Sequence, residues 1–237
     1  MHSVELKISQ GSDQPFPPAD INIVIDVIRA FTVSHIAFLK GVKEVFLVNT
    51  VEEAFSLRTK NPAYLLAGEI SGLPIQYFDL DNSPLTFSNS DLTNKTLVQK
   101  TTNGVKATLR SLNADTVLVT GLTNAKNTAF YAKELAKGKP NCVINIIASH
   151  SGDDDDLACA EYIQDKLLGL NKIHINSIQT RIKNSRPAQK FYDPSKLDFN
   201  QGDIDICLRE IDCDFVMTVD KSLSVPRIMK KQIPKFV

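Results

Sequence analysis

Residues Leu97–Leu109, LVQKTTNGVKATL, join a short strand to a helix through a polar turn. The segment Thr96–Gln99 is typical of a strand, and the apolar Val105 and Leu109 recur at the spacing of one helix face. The turn Thr101–Gly104 offers two hydroxyls, an amide and a glycine. Unpaired N–H groups at a helix start attract anions, so this turn either binds an anion or only caps its own helix.

A second strand–turn–helix unit has the same polar side chains. The apolar segment Asp115–Thr120 runs through Gly121 into a helix that begins near Asn124. Thr102-Asn103 and Thr123-Asn124 therefore hold equivalent places in the two units. If the two strands are parallel neighbours, both turns open at the edge where α/β sheets bind ligands, and we expect one shared polar site.

Strands and helices alternate along the chain, which predicts an α/β protein with three α/β/α layers and a largely parallel sheet. With 43% hydrophobic residues among 237, the chain is long enough for a large core. We expect a single domain over residues 1–237, with two intimate lobes meeting near residues 125–150 as the alternative. The 27 basic residues balance the 27 acidic ones, so neither nucleic acid nor a membrane surface is an expected partner.

The four cysteines lack C-x-x-C spacing and histidine pairing, so we expect reduced thiols in a cytoplasmic protein. They are Cys142, Cys159, Cys207 and Cys213. The first ten residues, MHSVELKISQ, predict a strand rather than a signal peptide, and no stretch approaches transmembrane length. The basic tail, with Lys230, Lys231 and Lys235, is expected to be a solvated surface.

An acid follows the buried strand Ile21–Ile25, and an arginine follows three residues later. This is where active sites form in α/β sheets. Asp26 is a candidate Mg²⁺ ligand or nucleophile, and Arg29 is a candidate clamp for an anion. The alternative is that the two side chains pair with each other as a buried salt bridge.

Two further segments are rich in acids. The loop from Glu69 to Pro84 contains Asp79 and ends in turn chemistry, and the strand Val143–Ala148 leads into Ser149–Gly152 and four consecutive aspartates. Each is a candidate metal site. The alternatives are a solvated loop for the first segment and helix-dipole partners for the second.

The segment Asp79-Leu80-Asp81-Asn82-Ser83 resembles the nucleophile loop of haloacid-dehalogenase-like phosphatases. That resemblance implies that Asp79 attacks phosphorus and that Asp153 and Asp156 belong to an acidic metal motif. It leaves Asp26, Arg29 and the two Thr-Asn turns without a role.

A second resemblance covers most of the chain. Its motifs are, in order, Asp26-Val27-x-Arg29-Ala30-x-Thr32, Gly68-Glu69, Phe78-Asp79-x-x-Asn82-Ser83-Pro84, Thr101-Thr102-Asn103-Gly104, Gly121-x-x-Asn124-Ala125 and the acid pair Asp155-Asp156. In these the sequence resembles the 2-phosphosulfolactate phosphatase family, Mg²⁺-dependent enzymes linked to coenzyme M synthesis. The chain departs from the family pattern at Ile70, Asp81 and Val105, and its loop before Asp155 is short.

The residues and this resemblance together imply a Mg²⁺-dependent phosphatase acting on a small phosphorylated acid, with a homodimer as one possible assembly. The alternative is a non-catalytic protein that binds such an acid. Catalytic roles are expected for Asp26, Arg29 and Asn103. Substrate contacts are expected from Thr32, Asn82, Ser83, Thr101, Thr102, Gly104, Asn124, Ser151 and Gly152. Mg²⁺ ligands are expected among Asp26, Glu69, Asp79 and Asp156.

Overall fold

The computed structural model describes residues 4–11 and 14–234, and every strand within them belongs to one sheet. The strands are β1 (Val4–Gln10), β2 (Ile21–Ile25), β3 (Glu44–Leu47), β4 (Leu65–Ile70), β5 (Leu73–Pro74), β6 (Thr96–Lys100), β7 (Thr116–Thr120), β8 (Cys142–Ala148), β9 (Phe215–Asp220) and β10 (Arg227–Gln232). The strand expected at the N-terminus is confirmed from Val4 onward; residues 1–3 lie outside the described part.

The strand order is β1-β8-β2-β7-β9-β10-β3-β6-β4-β5. Two parallel sets, β1-β8-β2-β7 and β3-β6-β4, flank the antiparallel strands β9 and β10. Because β7–β9, β9–β10 and β10–β3 are all antiparallel pairs, the two sets run in opposite directions. The predicted α/β fold with a largely parallel sheet is confirmed. Along the chain β3, β4 and β6 of one set lie between β2 and β7 of the other, and the division into one domain or two lobes stays a prediction.

Helices cover both faces of the sheet. They are α1 (Ala30–Leu39), α2 (Val51–Lys60), α3 (Pro84–Ser88), α4 (Gly104–Leu109), α5 (Ala125–Ala136), α6 (Asp154–Leu168), α7 (Ile175–Asn184), α8 (Arg186–Gln189) and α9 (Gln201–Cys207), with a 3-10 turn at Leu122–Asn124. Strand β2 is buried along its whole length, with Val24 in one apolar cluster and Ile23 and Ile25 in another. Covering both faces explains why four of its five residues are apolar and why Asn22, the exception, is buried and hydrogen-bonded to the Ser111 carbonyl oxygen. No helix in the described ranges is long and apolar enough to span a membrane.

The expected adjacency of the two Thr-Asn units is wrong. Strands β9, β10 and β3 lie between β7 and β6, and β6 runs opposite to β7. The tail expected to be only solvated surface instead supplies β10, which pairs with β3 and β9. Lys230 and Lys231 are nevertheless exposed, and Lys235 lies outside the described residues.

The register aligns the strand ends that form the site. Ile25 lies opposite Ala148 of β8, which brings Asp26 beside Ser149. In the other parallel set Gly68 lies opposite Lys100, which brings Glu69 beside the turn after β6. A Cβ at Gly68 would clash with the Lys100 carbonyl oxygen, so only glycine permits this approach.

Candidate active site

A cavity of about 390 Å³ lies where the carboxyl ends of β2 and β8 face those of β4 and β6. Seven of the predicted site residues line it: Asp26, Arg29, Glu69, Asn82, Thr102, Asn103 and Asp156. The opposite wall comes from α8 and the residue after it, through Arg186, Pro187 and Lys190. The structure thus brings together acids, amides and basic groups from distant parts of the chain.

Asp26 is fixed between the start of α1 and the start of α4. Its Oδ1 accepts a hydrogen bond from the Ala30 N–H at 2.9 Å. A Cβ added at Gly104 would lie 2.6 Å from Asp26 Oδ2, so the glycine lets the α4 backbone approach the carboxylate. Burial, with repulsion from Glu69, raises the pKa of Asp26 to about 6.

Two acids of α6 lie beside Asp26. Asp156 accepts hydrogen bonds from Val27 N–H at 2.7 Å and from Ser149 Oγ at 2.8 Å, so it ties α6 to the ends of β2 and β8. Burial raises the pKa of Asp155 to about 7, and repulsion from Asp26 adds to the shift. Burial and repulsion from Asp155 likewise raise the pKa of Asp156. Asp155 Oδ1 is buried without a hydrogen-bond partner.

Glu69 holds two loops together. Its carboxylate accepts hydrogen bonds from the Thr102 N–H, from Thr102 Oγ1 at 2.9 Å and from the Gly72 N–H. The turn after β6 is therefore fastened to the turn after β4. These three donors occupy much of the capacity of the carboxylate to accept other partners.

In the Thr101–Gly104 turn one side chain caps the helix α4 and another lines the cavity. Thr101 Oγ1 accepts the Val105 N–H at 3.1 Å and so caps α4. Asn103 makes no side-chain capping bond, and it lines the cavity. Of the two interpretations of this turn, capping applies to Thr101, while the Asn103 amide is available to a ligand.

Arg29 does not pair with Asp26, so that alternative is wrong. Its Nη1 donates to Asp203 Oδ2 at 2.8 Å, with both side chains almost fully buried. Its Nη2 donates to the Gly72 carbonyl oxygen at 2.9 Å, and the guanidinium carbon lies 5.0 Å from the ring centre of Phe191 and 5.7 Å from that of Phe199. Asp203 therefore pairs with the positive charge of Arg29 and holds its guanidinium in one orientation.

Several cavity residues are absent from the sequence-based prediction. Lys190, Arg186 and His150 line the cavity, and Asp203 acts on it through Arg29. Arg186 Nε donates to Asp153 Oδ1 at 2.9 Å, and His150 Nδ1 lies 3.0 Å from Asp153 Oδ2. The sequence between residues 171 and 207 contains no motif that would identify Arg186, Lys190 or Asp203, because their positions depend on how α7–α9 fold across the cavity. His150 lies in the Ser149–Gly152 segment after β8, which the sequence does indicate as part of a site.

Other predicted substrate contacts lie outside this cavity. Thr32 Oγ1 donates to the Val27 carbonyl oxygen inside the fold, and Ser83 Oγ donates to Asp203 and caps α3. Ser151 lines an adjoining cavity of about 210 Å³, and the Gly152 N–H donates to Gln10 Oε1. Asn124 lines a separate cavity of about 360 Å³ and donates to the Phe215 carbonyl oxygen at 3.3 Å. The structure does not bring Asn124 to one site with Asn103.

Asp79 also lies outside the cavity. Its Oδ2 accepts hydrogen bonds from Arg58 Nη1 and from the Leu66 N–H, both at 2.7 Å, on the outer side of β4. An ion-paired carboxylate in this position does not serve as the nucleophile that the dehalogenase-like resemblance implies. The expectation of Asp79 as a metal ligand of this cavity is wrong for the same reason.

The chain is similar to known proteins along most of its length. The profile of the 2-phosphosulpholactate phosphatase family matches residues 9–222. A Bacillus subtilis (strain 168) protein named probable 2-phosphosulfolactate phosphatase is 50% identical over 223 residues, 94% of this chain and 97% of that protein. Proteins of the same name from Carboxydothermus hydrogenoformans and Caldanaerobacter subterraneus are 31% and 32% identical, over 71% and 87% of this chain and 70% and 86% of their own. The resemblance is confirmed: the chain belongs to the 2-phosphosulpholactate phosphatase family and is a phosphoric monoester hydrolase.

Proposed function

We propose that this enzyme hydrolyses the phosphate monoester of a small 2-hydroxy acid in a Mg²⁺-dependent reaction. The proposed substrate is 2-phospho-3-sulfolactate, which with water gives 3-sulfolactate and phosphate. The observation that carries the proposal is the Asp26 carboxylate, which is buried at the cavity in contact with the Gly104 backbone. The names of the similar proteins supply the substrate.

Phosphoryl transfer is catalysed mainly by positioning and by neutralising charge. In our proposal the Asn103 amide holds the phosphoryl group, since it lines the cavity beside Asp26 and makes no capping bond, while Glu69 holds Thr102 in the cavity wall. Arg29 offsets the charge that the phosphoryl oxygens bring into the cavity. Asp26 acts on the attacking side, either as the nucleophile or by orienting the water.

The residues present fit a hard cation. Burial raises the pKa of Asp26, Asp155 and Asp156, and repulsion from Asp26 adds to the shift of the other two. Asp155 Oδ1 and Asn82 Oδ1 are buried without hydrogen-bond partners. Carboxylate and amide oxygens are the ligands that Mg²⁺ prefers, and it commonly binds through one or two carboxylates plus water and substrate phosphate. Within residues 4–11 and 14–234 no group of three or more Asp, Glu, His or Cys side chains is placed to hold a metal ion, so the ion would depend on one or two carboxylates together with water and substrate phosphate. Asp26 would hold the ion, with Glu69 and Asp156 as further candidates, and the ion would neutralise phosphoryl charge when bound.

The test is phosphate release from a panel of 2-hydroxy-acid phosphates, with Mg²⁺ and after treatment with EDTA. We expect EDTA to abolish turnover and added Mg²⁺ to restore it, because the ion would neutralise the phosphoryl charge beside the buried acids. Full activity after exhaustive chelation would contradict the metal requirement. No release from any ester in Mg²⁺ would favour the non-catalytic alternative that binds a phosphorylated acid.

The link to coenzyme M synthesis, the cytoplasmic location and the homodimer stay predictions. The link to coenzyme M synthesis is tested by comparing the hydrolysis rate of 2-phospho-3-sulfolactate with the rates of the other esters in the panel.

A further inference from the structure

Lys190 is a half-buried cation in the wall of the cavity. Its Nζ lies 4.4 Å from the ring centre of Phe199 and 5.6 Å from that of Phe191. A Cβ added at Gly72 would lie 2.8 Å from this nitrogen, so the ammonium packs directly on the loop after β4. Within residues 4–11 and 14–234 no carboxylate pairs with it.

Lys190 differs from the neighbouring cation Arg29 in that no carboxylate of the described residues forms a direct ion pair with it, although Glu69 and Asp155 act on its charge from a greater distance. Arg29 contacts the same two rings, Phe191 and Phe199, and its Nη1 lies 2.8 Å from Asp203 Oδ2. Burial, together with the nearby Arg29, lowers the pKa of Lys190. A partly desolvated ammonium beside a second cation is unfavourable unless an anion joins it.

The phosphoryl group is not the anion that this position suits best. Glu69 interacts electrostatically with both Asp26 and Lys190, and it is bonded to Thr102 on one side and to Gly72 on the other. Glu69 thus lies between the turn that we assign to phosphate and the loop on which Lys190 packs. A substrate that carries a second anionic group would place that group at the Lys190 end of the cavity.

We propose that Lys190 binds the anionic group of the substrate that is remote from the phosphate, a sulfonate or carboxylate oxyanion. This inference rests on the proposed function, because it assumes a substrate that carries two kinds of anion. It makes Lys190 a residue that determines specificity.

The test is calorimetric binding of 3-sulfolactate and of inorganic phosphate to the wild type and four variants. Lys190→Gln and Lys190→Met remove the charge, and Met retains the apolar contact with the rings. Lys190→Arg keeps the charge, and Lys196→Gln is the control because Lys196 is an exposed lysine of the same segment outside this cavity. We expect both neutral variants to weaken 3-sulfolactate binding by about 10-fold or more, as for loss of a charged hydrogen bond. The affinity of every variant for phosphate should stay close to that of the wild type. Lys190→Arg and Lys196→Gln should also bind 3-sulfolactate about as tightly as the wild type does.

Lactate and 2-hydroxyethanesulfonate identify the group. If Lys190 binds the sulfonate, its neutral variants lose affinity for 2-hydroxyethanesulfonate only; if it binds the carboxylate, they lose affinity for lactate only. Unchanged 3-sulfolactate binding, or an equal loss for phosphate, would overturn the inference. A wild type that binds 3-sulfolactate through Lys190 but releases no phosphate from any ester would contradict the proposed function alone.

Discussion

Asp26 combines burial, a raised pKa and contact with the Gly104 backbone. The ionised form costs folding free energy because the site desolvates it, and such costs are typical of groups that act in catalysis. Asp79, the acid of the competing motif, is instead partly exposed and paired with Arg58. Replacement by asparagine is therefore expected to have opposite effects on turnover at these two positions.

We expect Asp26→Asn to fold and to lose at least ~100-fold in kcat, as when a central charge-stabilising group is removed. Folding is preserved because the neutral amide avoids the cost of burying a carboxylate. Asp79→Asn is the matched control and should retain most of its turnover. The measurements are kcat and the melting temperature of both variants, and turnover near the wild-type rate in Asp26→Asn would refute its assigned role.

At the scale of elements, α9 supplies the buried carboxylate of Asp203, which pairs with Arg29 in the loop after β2. Asp203 accepts hydrogen bonds from Arg29, from Ser83 Oγ and from the Leu85 N–H, so one carboxylate joins α9, α3 and the site. Removing one member of a buried pair leaves the other charge uncompensated.

Asp203→Ala should lower the free energy of unfolding by about 3–5 kcal/mol, the usual cost of breaking a buried ion pair. Asp203→Asn keeps an acceptor for Arg29 and should cost less. Chemical denaturation measures both values, and the KM for substrate should rise in both because Arg29 loses its orientation. An Asp203→Ala protein as stable as the wild type would show that the pair is not structural.

The turns before α4 and α5 have similar sequences but open onto different cavities, because β6 and β7 lie in different parallel sets. Asn103→Ala should weaken phosphate binding by roughly 1.5–3 kcal/mol, as for a lost hydrogen bond to a charged group. Asn124→Ala should lower the melting temperature and leave phosphate affinity unchanged. Because the two sites are separate, the double variant should show additive effects in a double-mutant cycle. Strong coupling between the two would contradict the separation.

At the scale of the whole molecule, the acid cluster makes stability depend on pH and on Mg²⁺. The folded-state pKa of Asp155 rises from 3.8 to about 7. A raised acid pKa means that the folded state holds its proton more tightly, so this contribution to stability is present below about pH 4 and is lost as the pH rises through about 7. Asp220, whose pKa falls to about 2, acts in the opposite sense at lower pH and does not overlap this window.

In metal-free protein, Asp155→Asn should therefore melt at a higher temperature than the wild type at pH 8, and the difference should vanish near pH 4. Mg²⁺ should raise the melting temperature of the wild type more at pH 8 than at pH 5, since only the ionised acids attract it. Calorimetric scans across this range, with EDTA or Mg²⁺, measure both effects. A melting temperature that Mg²⁺ leaves unchanged at pH 8 would argue against a cation in this cluster.

Local chemistry in the sequence predicts much of the site. The apolar run Ile21–Ile25 indicates a buried strand, and the Thr101–Gly104 turn indicates a strand-to-helix junction; both are confirmed because burial and turn geometry depend on neighbouring residues. Asp26 and Asn103 reach the cavity because each follows a strand at its carboxyl end, and Glu69 because it lies in the last residues of β4.

Only the tertiary structure decides how the two parallel sets are joined and which charges meet. The pairing of β9 and β10 between β7 and β3 separates the Thr-Asn turns, and no local pattern near either turn reports it. Arg29 and Asp203 are 174 positions apart, and Lys190 reaches the cavity through short polar helices without a motif. The sequence by itself determines strands, turns and the acid that follows β2, because these depend on short-range sterics and burial. Strand order and the partners of buried charges depend on contacts between distant segments, so they appear only once the chain has folded.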